Sequence, residues 1–210
     1  MTVIAVDGPA ASGKGTIARA LAEHFGLPFM DTGLLYRAVA LNLWRWGGDP
    51  GNEFEALRAC DELNLDAGDP ELRSEPVSKI ASRISAYPGV RAALLERQQS
   101  FARQPAGAVL DGRDIGTVIA PDADVKLFVT ATAEVRAERR KHELEARGMH
   151  AAYDDVLADI RARDERDSHR EVAPLVPAKD AILVDTSNLG IEEAIAEAVR
   201  LTEQRLKIDT

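Results

Sequence analysis

The chain has 210 residues, of which 45% are hydrophobic and 29% charged, and its formal net charge is −9. This length is enough for one domain with an appendage; the acidic balance argues against a general nucleic-acid binder, and no apolar run reaches the roughly 20 residues of a membrane span. Cys60 is the single cysteine, which excludes a disulfide framework or a zinc ribbon. The sequence enters a strand pattern at once, without a basic or long apolar leader, so a cytoplasmic protein is expected, and a monomer.

Val3-Ile4-Ala5-Val6 is a short apolar run without helical spacing, and reads as the first strand. Gly8-Pro9-Ala10-Ala11-Ser12-Gly13-Lys14-Gly15-Thr16 follows, and then an amphipathic helix pattern over residues 17–22. Residues 28–31 give a second short strand, ending at Asp31-Thr32-Gly33. A helix over 34–46 follows, with Leu35, Val39, Leu43 and Trp46 at helical spacing. Gly47-Gly48-Asp49-Pro50-Gly51 stops it. Helices are expected over 53–64, 76–86 and 88–103, with a turn at 66–70. Strands at 108–111 and 125–129 come next, then charged helices over 132–147 and 153–170. Residues 181–185 form the last strand and 191–207 the last helix.

Five short apolar strands alternating with helices imply an α/β fold, a five-stranded parallel sheet covered on both faces. Ligands collect at the C-terminal rim of such a sheet. Asp7, Asp31, Asp111 and Asp185 all stand at or just after strand ends on that rim. Asp185 reads as an ordinary turn aspartate.

Strand, glycine-rich turn and helix form the context of a phosphate-binding loop. The glycines let backbone N–H groups surround phosphate oxygens, while the helix terminus and Lys14 supply positive charge. Gly15 stands where a Ser or Thr usually follows the lysine, and the hydroxyl comes one residue later at Thr16. Asp111-Gly112-Arg113-Asp114 closes a buried strand, where a carboxylate can hold Mg²⁺ opposite the loop. Arg113 is within reach of an acceptor phosphate there. Tyr36 and Arg37 lie one turn inside a helix that starts on the same rim. Arg163, Arg166, Asp167 and Arg170 share one helical face. Such a face is more often a solvated salt-bridge surface, but Ala173-Pro174-Leu175-Val176-Pro177 leads from it straight back to the last strand, which places it over the site. Only six of the 26 basic residues are lysines, and arginine forks suit small anionic ligands; a GC-rich genome is the plainer source of that bias.

Together, residues 8–16, Asp31-Thr32-Gly33 with Tyr36-Arg37, Asp111 to Asp114 followed by Ile115-Gly116-Thr117, and residues 163–177 resemble the bacterial cytidylate kinases. The motifs come in the family's order across nearly the whole chain. The lysine loop is common to nucleoside monophosphate kinases, whereas Gly-Arg-Asp-Ile-Gly-Thr and Arg-Asp-x-Arg-Asp are more specific. The resemblance implies a single P-loop kinase domain over 1–210, with a nucleoside-monophosphate-binding insertion at about 48–105 and a lid at about 141–172. It implies transfer of the γ-phosphoryl of ATP to CMP or dCMP in pyrimidine nucleotide metabolism, with Mg²⁺. ATP is then expected on Gly8, Pro9, Ala10, Ala11, Ser12, Gly13, Lys14, Gly15 and Thr16, with Arg136 and Arg140. Thr16 and Asp111 would place Mg²⁺. CMP is expected on Thr32, Tyr36, Arg37, Ser82, Arg91, Asp111, Arg113, Asp114, Arg163, Asp167 and Arg170. Lys14, Arg113, Arg163 and Arg170 would act on the transferring group. Ser82 and Arg91 enter because residues 81–91 resemble the family's base-binding stretch; without that they read as a helix-surface serine and a first-turn arginine. Only residues 65–75 remain for the small β-rich insertion usual in bacterial members, so a reduced insertion is expected.

Two other readings stay open in the sequence. One is a P-loop kinase for another small acceptor, such as shikimate or a different nucleotide. The other is a nucleotide-dependent switch, although the chain contains neither Asn-Lys-x-Asp nor Leu-Ser-Gly-Gly.

Overall fold

A computed structural model of the chain describes residues 1–61, 63 and 66–207. Strands Val3–Asp7 (β1), Phe29–Asp31 (β2), Ala108–Gly112 (β3), Val125–Thr130 (β4) and Ile182–Asp185 (β5) form one parallel sheet in the order β2-β3-β1-β4-β5. β1 is central, with Asp7 paired to Gly112 of β3 and to Phe128 of β4. The unbroken apolar strands follow from burial on both faces. Ile4, Val6, Val109, Leu127 and Val129 point to one side, against Lys14–Phe25 (α1) and Ile191–Leu206 (α8). Val3, Ala5, Ala108 and Leu110 point to the other, against Ala102, Ile115 and Ile119.

Between β2 and β3 the chain builds a helical layer with its own core: Gly33–Trp46 (α2), Glu53–Asp61 (α3), a 3-10 turn at Pro70–Arg73, Glu75–Ile84 (α4) and Pro88–Ala102 (α5). No strand occurs there among the described residues, in keeping with the reduced insertion expected. The helix expected over 53–64 ends at Asp61; Glu62 and Asn64 lie outside the described residues, as does Leu65. α2 sits in the middle of this layer, so Leu34, Tyr36, Ala38, Ala40 and Leu41 are buried as well as the expected Leu35, Val39 and Leu43. Trp46 departs from its expected place on the apolar stripe. It lies in the last turn, is 45% exposed, and carries the Arg58 guanidinium 5.4 Å from its ring centre.

Ala133–Ala146 (α6) and Tyr153–His169 (α7) pack as a pair around Ala137, Leu144, Val156 and Ile160. The Thr132 hydroxyl starts α6 by accepting the Val135 N–H at 3.3 Å. This small core is apolar only on its inner stripe, and outside it Arg136 and Arg139 of α6 reach the Ala10 carbonyl and Thr186.

Candidate active site

The phosphate-loop geometry begins at Gly8, where φ is +152° and a Cβ would lie 2.0 Å from the Val129 carbonyl oxygen; only glycine fits this exit from β1. Gly13, at φ +89°, turns the chain into α1, and its carbonyl accepts the N–H groups of Thr16 and Ile17, each at 3.1 Å. The Lys14 ammonium lies 3.3 Å from Asp111 Oδ1. Burial lowers the Lys14 pKa and raises that of Asp111, and in each case the partner's charge opposes the shift. A Cβ at residue 15 would stand 3.0 Å from Asp111 Oδ2, a tight approach that the glycine relieves. Thr16 is exposed one residue further along the first turn of α1.

The turn after β3 carries the other half of the site. Asp114 is buried and shared by two arginines: Arg91 of α5 donates to its Oδ2, and Arg170 Nη2 lies 3.6 Å from its Oδ1. The Arg91 guanidinium also lies 5.6 Å from the Tyr36 ring centre. Burial opposes charge on Arg91, but Tyr36 and Asp114 more than offset this and raise its pKa. Arg113 Nε donates to Asp167 Oδ2 at 3.0 Å, and Arg163 approaches the same oxygen at 3.9 Å. Burial pushes the Asp167 pKa up, but Arg113 and Arg163 hold it below the usual carboxylate value. Burial first, then the neighbouring Arg113 charge, lowers Arg163 to about 10.

The sequence-derived residues therefore gather in two clusters on one rim: Lys14 with Asp111, and Arg113, Asp114 and Asp167 with Arg91, Arg163 and Arg170. Ser82 joins the second through α7, its hydroxyl accepting from Arg166 Nη2 at 3.2 Å. Thr32 is buried beneath, donating its hydroxyl to the Asp111 carbonyl at 2.8 Å. Arg37 faces the helical layer, where it donates to Ser78 Oγ at 2.5 Å and to the Leu72 carbonyl at 3.4 Å. Arg136 touches the phosphate loop at the Ala10 carbonyl, 3.3 Å away, while both its terminal nitrogens hold Asp164, at 2.9 and 2.6 Å. Arg140 pairs with Glu75 of α4 and with Glu143. Asp185 accepts from Ser187 N–H and Oγ at 2.9 and 2.6 Å, an ordinary turn aspartate as read.

Three side chains matter more than the sequence alone indicated. Arg139 donates to the Thr186 hydroxyl and carbonyl at 2.9 and 2.6 Å, and so ties α6 to the loop after β5. Arg166 makes the Ser82 contact. The buried Asp7 carboxylate accepts the N–H groups of Ile115 and Gly116, both at 2.8 Å, and burial raises its pKa to about 6. Asp7 stood out only as a rim aspartate; its partners lie more than a hundred residues away.

For a metal, the buried Asp111 Oδ1 has the Lys14 ammonium beside it at 3.3 Å, and the Thr16 hydroxyl is exposed in the first turn of α1. Among the described residues no group of three or more His, Cys, Asp or Glu side chains gathers as a cage. This sparse oxygen set fits Mg²⁺, which keeps several waters and takes its remaining ligands from substrate phosphates.

The cytidylate kinase family model matches residues 4–204. A cytidylate kinase of Xanthobacter autotrophicus is 59% identical over 206 residues, 97% of this chain and 98% of that one. One of Paramagnetospirillum magneticum is 54% identical over 202 residues, 94% of this chain and 96% of its own. Among solved structures, a shikimate kinase from Bacteroides thetaiotaomicron superposes with a TM-score of 0.52 at 13% identity, covering 99% of each chain, a likeness of fold. With the loop, the shared aspartate and the arginine cluster in place on one rim, and with matches running over nearly its whole length, the chain belongs to the cytidylate kinase family.

Proposed function

We propose that the chain transfers the γ-phosphoryl group of ATP to CMP or dCMP, giving ADP and CDP or dCDP, on the residues of these two clusters. The observation that carries this assignment is the buried Asp114, held by Arg91 and Arg170 and adjacent in the chain to Arg113. A carboxylate and a guanidinium side by side match the N4 amino donor and N3 acceptor of cytosine. Uracil presents the opposite pair, and would leave buried polar groups unpaired. Ser82 adds a hydroxyl beside them, and Tyr36 supplies an apolar wall.

No general base is required. The acceptor phosphate has a second pKa near 6 and is already largely a dianion at neutral pH. One of its oxygens attacks the γ-phosphorus as the bond to the β-phosphate oxygen breaks, and ADP leaves with that electron pair. Bringing these anions together is the barrier, so catalysis is positioning and electrostatics. Gly8, Pro9, Ala10, Ala11, Ser12, Gly13, Gly15 and Thr16 form the cradle, and Lys14 neutralises the β- and γ-phosphates. Thr16 and Asp111 would hold Mg²⁺, whose charge offsets that of the phosphates when it is bound. Arg37, Arg113 and Arg170 take the acceptor phosphate, Arg163 the transferring group, and Thr32 and Asp167 orient them. Arg136 borders the phosphate loop and would reach ATP from there, and Arg140 would do so on leaving Glu75 of α4. In this reading 48–105 is the acceptor-binding insertion and 141–172 a lid that keeps water from ATP, all within one domain.

A coupled ADP-release assay with CMP, dCMP, UMP, AMP and shikimate as acceptors tests the assignment. Turnover with CMP or dCMP far above the others is expected. Equal use of UMP, or preference for shikimate, would overturn it.

A further inference from the structure

Asp7 takes no part in the chemistry above, yet it is almost wholly buried at the end of the central strand. Its two oxygens accept two consecutive backbone N–H groups, those of Ile115 and Gly116. Those amides begin the turn that directly follows Arg113 and Asp114. The next residue after Asp7 is Gly8, the first of the phosphate loop, where only glycine fits beside the Val129 carbonyl. One side chain thus joins the donor loop to the acceptor turn. The same turn is confined from two further sides. A Cβ on Gly116 would meet the Lys126 stem at 3.1 Å, and Lys126 is itself fixed by Asp180 at 2.9 Å. A Cβ on Gly112 would meet Ile115 and Thr32 at 2.6 and 2.7 Å.

We propose that Asp7 is a positioning residue for the transfer reaction: by bonding the Ile115 and Gly116 amides it sets the place of Asp114 and Arg113 relative to the phosphate loop. The inference rests on the assignment of CMP to the Asp114 cluster. Its logic is that of near-attack geometry, in which about 1 Å of misplacement costs on the order of 100-fold in rate. An acceptor-only carboxylate suits two facing donors. An amide of the same shape accepts one N–H and confronts the other with its own NH₂, which pushes the turn outward.

Asp7→Asn is the first test, measured per folded enzyme with ATP and with CMP and UMP as acceptors. The ratio of kcat/KM for CMP over UMP should fall at least about tenfold and kcat with CMP should fall about 10- to 100-fold, while KM for ATP changes little. Asp114→Asn should lower the same ratio, and Asp7→Asn added to Asp114→Asn should lower it no further. Gly116→Ala places a methyl group 3.1 Å from the Lys126 stem and 3.4 Å from Asp7 Oδ2, so it loosens the same contact from the turn side and should give the same pattern; it decides the matter if Asp7→Asn does not fold. A lowered melting temperature with a wild-type CMP-to-UMP ratio in these variants would reduce Asp7 to a purely structural role. A fully additive loss in the double variant would equally overturn the inference. Failure of the wild type itself to prefer CMP would instead count against the assignment of the acceptor.

Discussion

Lys14 and Asp111 each have a pKa displaced toward the neutral form by burial, and each is kept useful by the other's charge. A γ-phosphate reaching Lys14 meets a desolvated cation, which interacts more strongly than a hydrated one. Lys14→Ala should leave a folded chain whose phosphoryl transfer falls by about 10²–10³ or more, the scale of removing one electrostatic stabiliser. Near-normal ADP release from the purified, folded variant would show that the loop amides suffice. Arg91 and Asp114 carry the second expectation. Arg91→Ala and Asp114→Ala should each erode selection of CMP over UMP, chiefly by damaging use of CMP. Because each breaks a buried ion pair, each should also cost about 3–5 kcal/mol of stability, so rates are compared at equal folded fraction. A selection ratio untouched by both would mean that the base is read elsewhere.

The α6–α7 pair meets the helical layer through a row of contacts: Arg140 with Glu75, Arg166 with Ser82, and Lys79 with Asp159 at 3.2 Å. Lys79 and Asp159 are both about two-thirds exposed, so that pair counts for little; Arg140 and Glu75 are better shielded and make the stronger tie. Glu75→Gln should therefore speed backbone hydrogen exchange across α6, residues 133–146, while leaving the exchange of β1, β3 and β4 unchanged. Unchanged exchange in α6 would assign its docking instead to Arg136 on the phosphate loop and Arg139 on the turn after β5. Little of this was legible in the sequence. The strands and the phosphate loop announce themselves because their patterns are short and contiguous, although β1 pairs with β3 and β4 far along the chain. Arg136 and Asp164 sit on different helices, and such charged patterns read equally well as solvated faces. Trp46 departs from its expected place for a related reason: helical spacing says which side of α2 it takes, but not that the side chain standing over its ring is charged, Arg58 of α3.

The whole molecule answers to pH through groups that act in opposite directions. Asp7 titrates near 6 when folded, against an ordinary value of 3.8, so between these values the folded chain holds a proton that the unfolded chain has lost. Stability from this group is therefore present at low pH and is lost as the pH rises through about 6. Asp167 does the reverse: its folded pKa lies below 3.8, and its contribution is lost only on strong acidification. On moving from pH 7 to pH 5, the wild type should gain about 1 kcal/mol relative to Asp7→Asn, read from urea midpoints. An unchanged difference would mean that Asp7 is ionised throughout. At neutral pH the chain carries a net −9, yet its acceptor rim is crowded with arginines, and that contrast follows from Arg113 and Arg163 on Asp167 and from Arg91 and Arg170 on Asp114. The rim behaves as a tethered ion exchanger loaded with its own counter-ions. On the proposed assignment, a visiting phosphate would have to displace Asp167, which cannot diffuse away, so stray inorganic anions would gain little by entering. On that assignment, too, a ligand that brings a phosphate to Arg113 and Arg163 and a matching base to Asp114 and Arg91 would gain at both places, and an inorganic anion at only one.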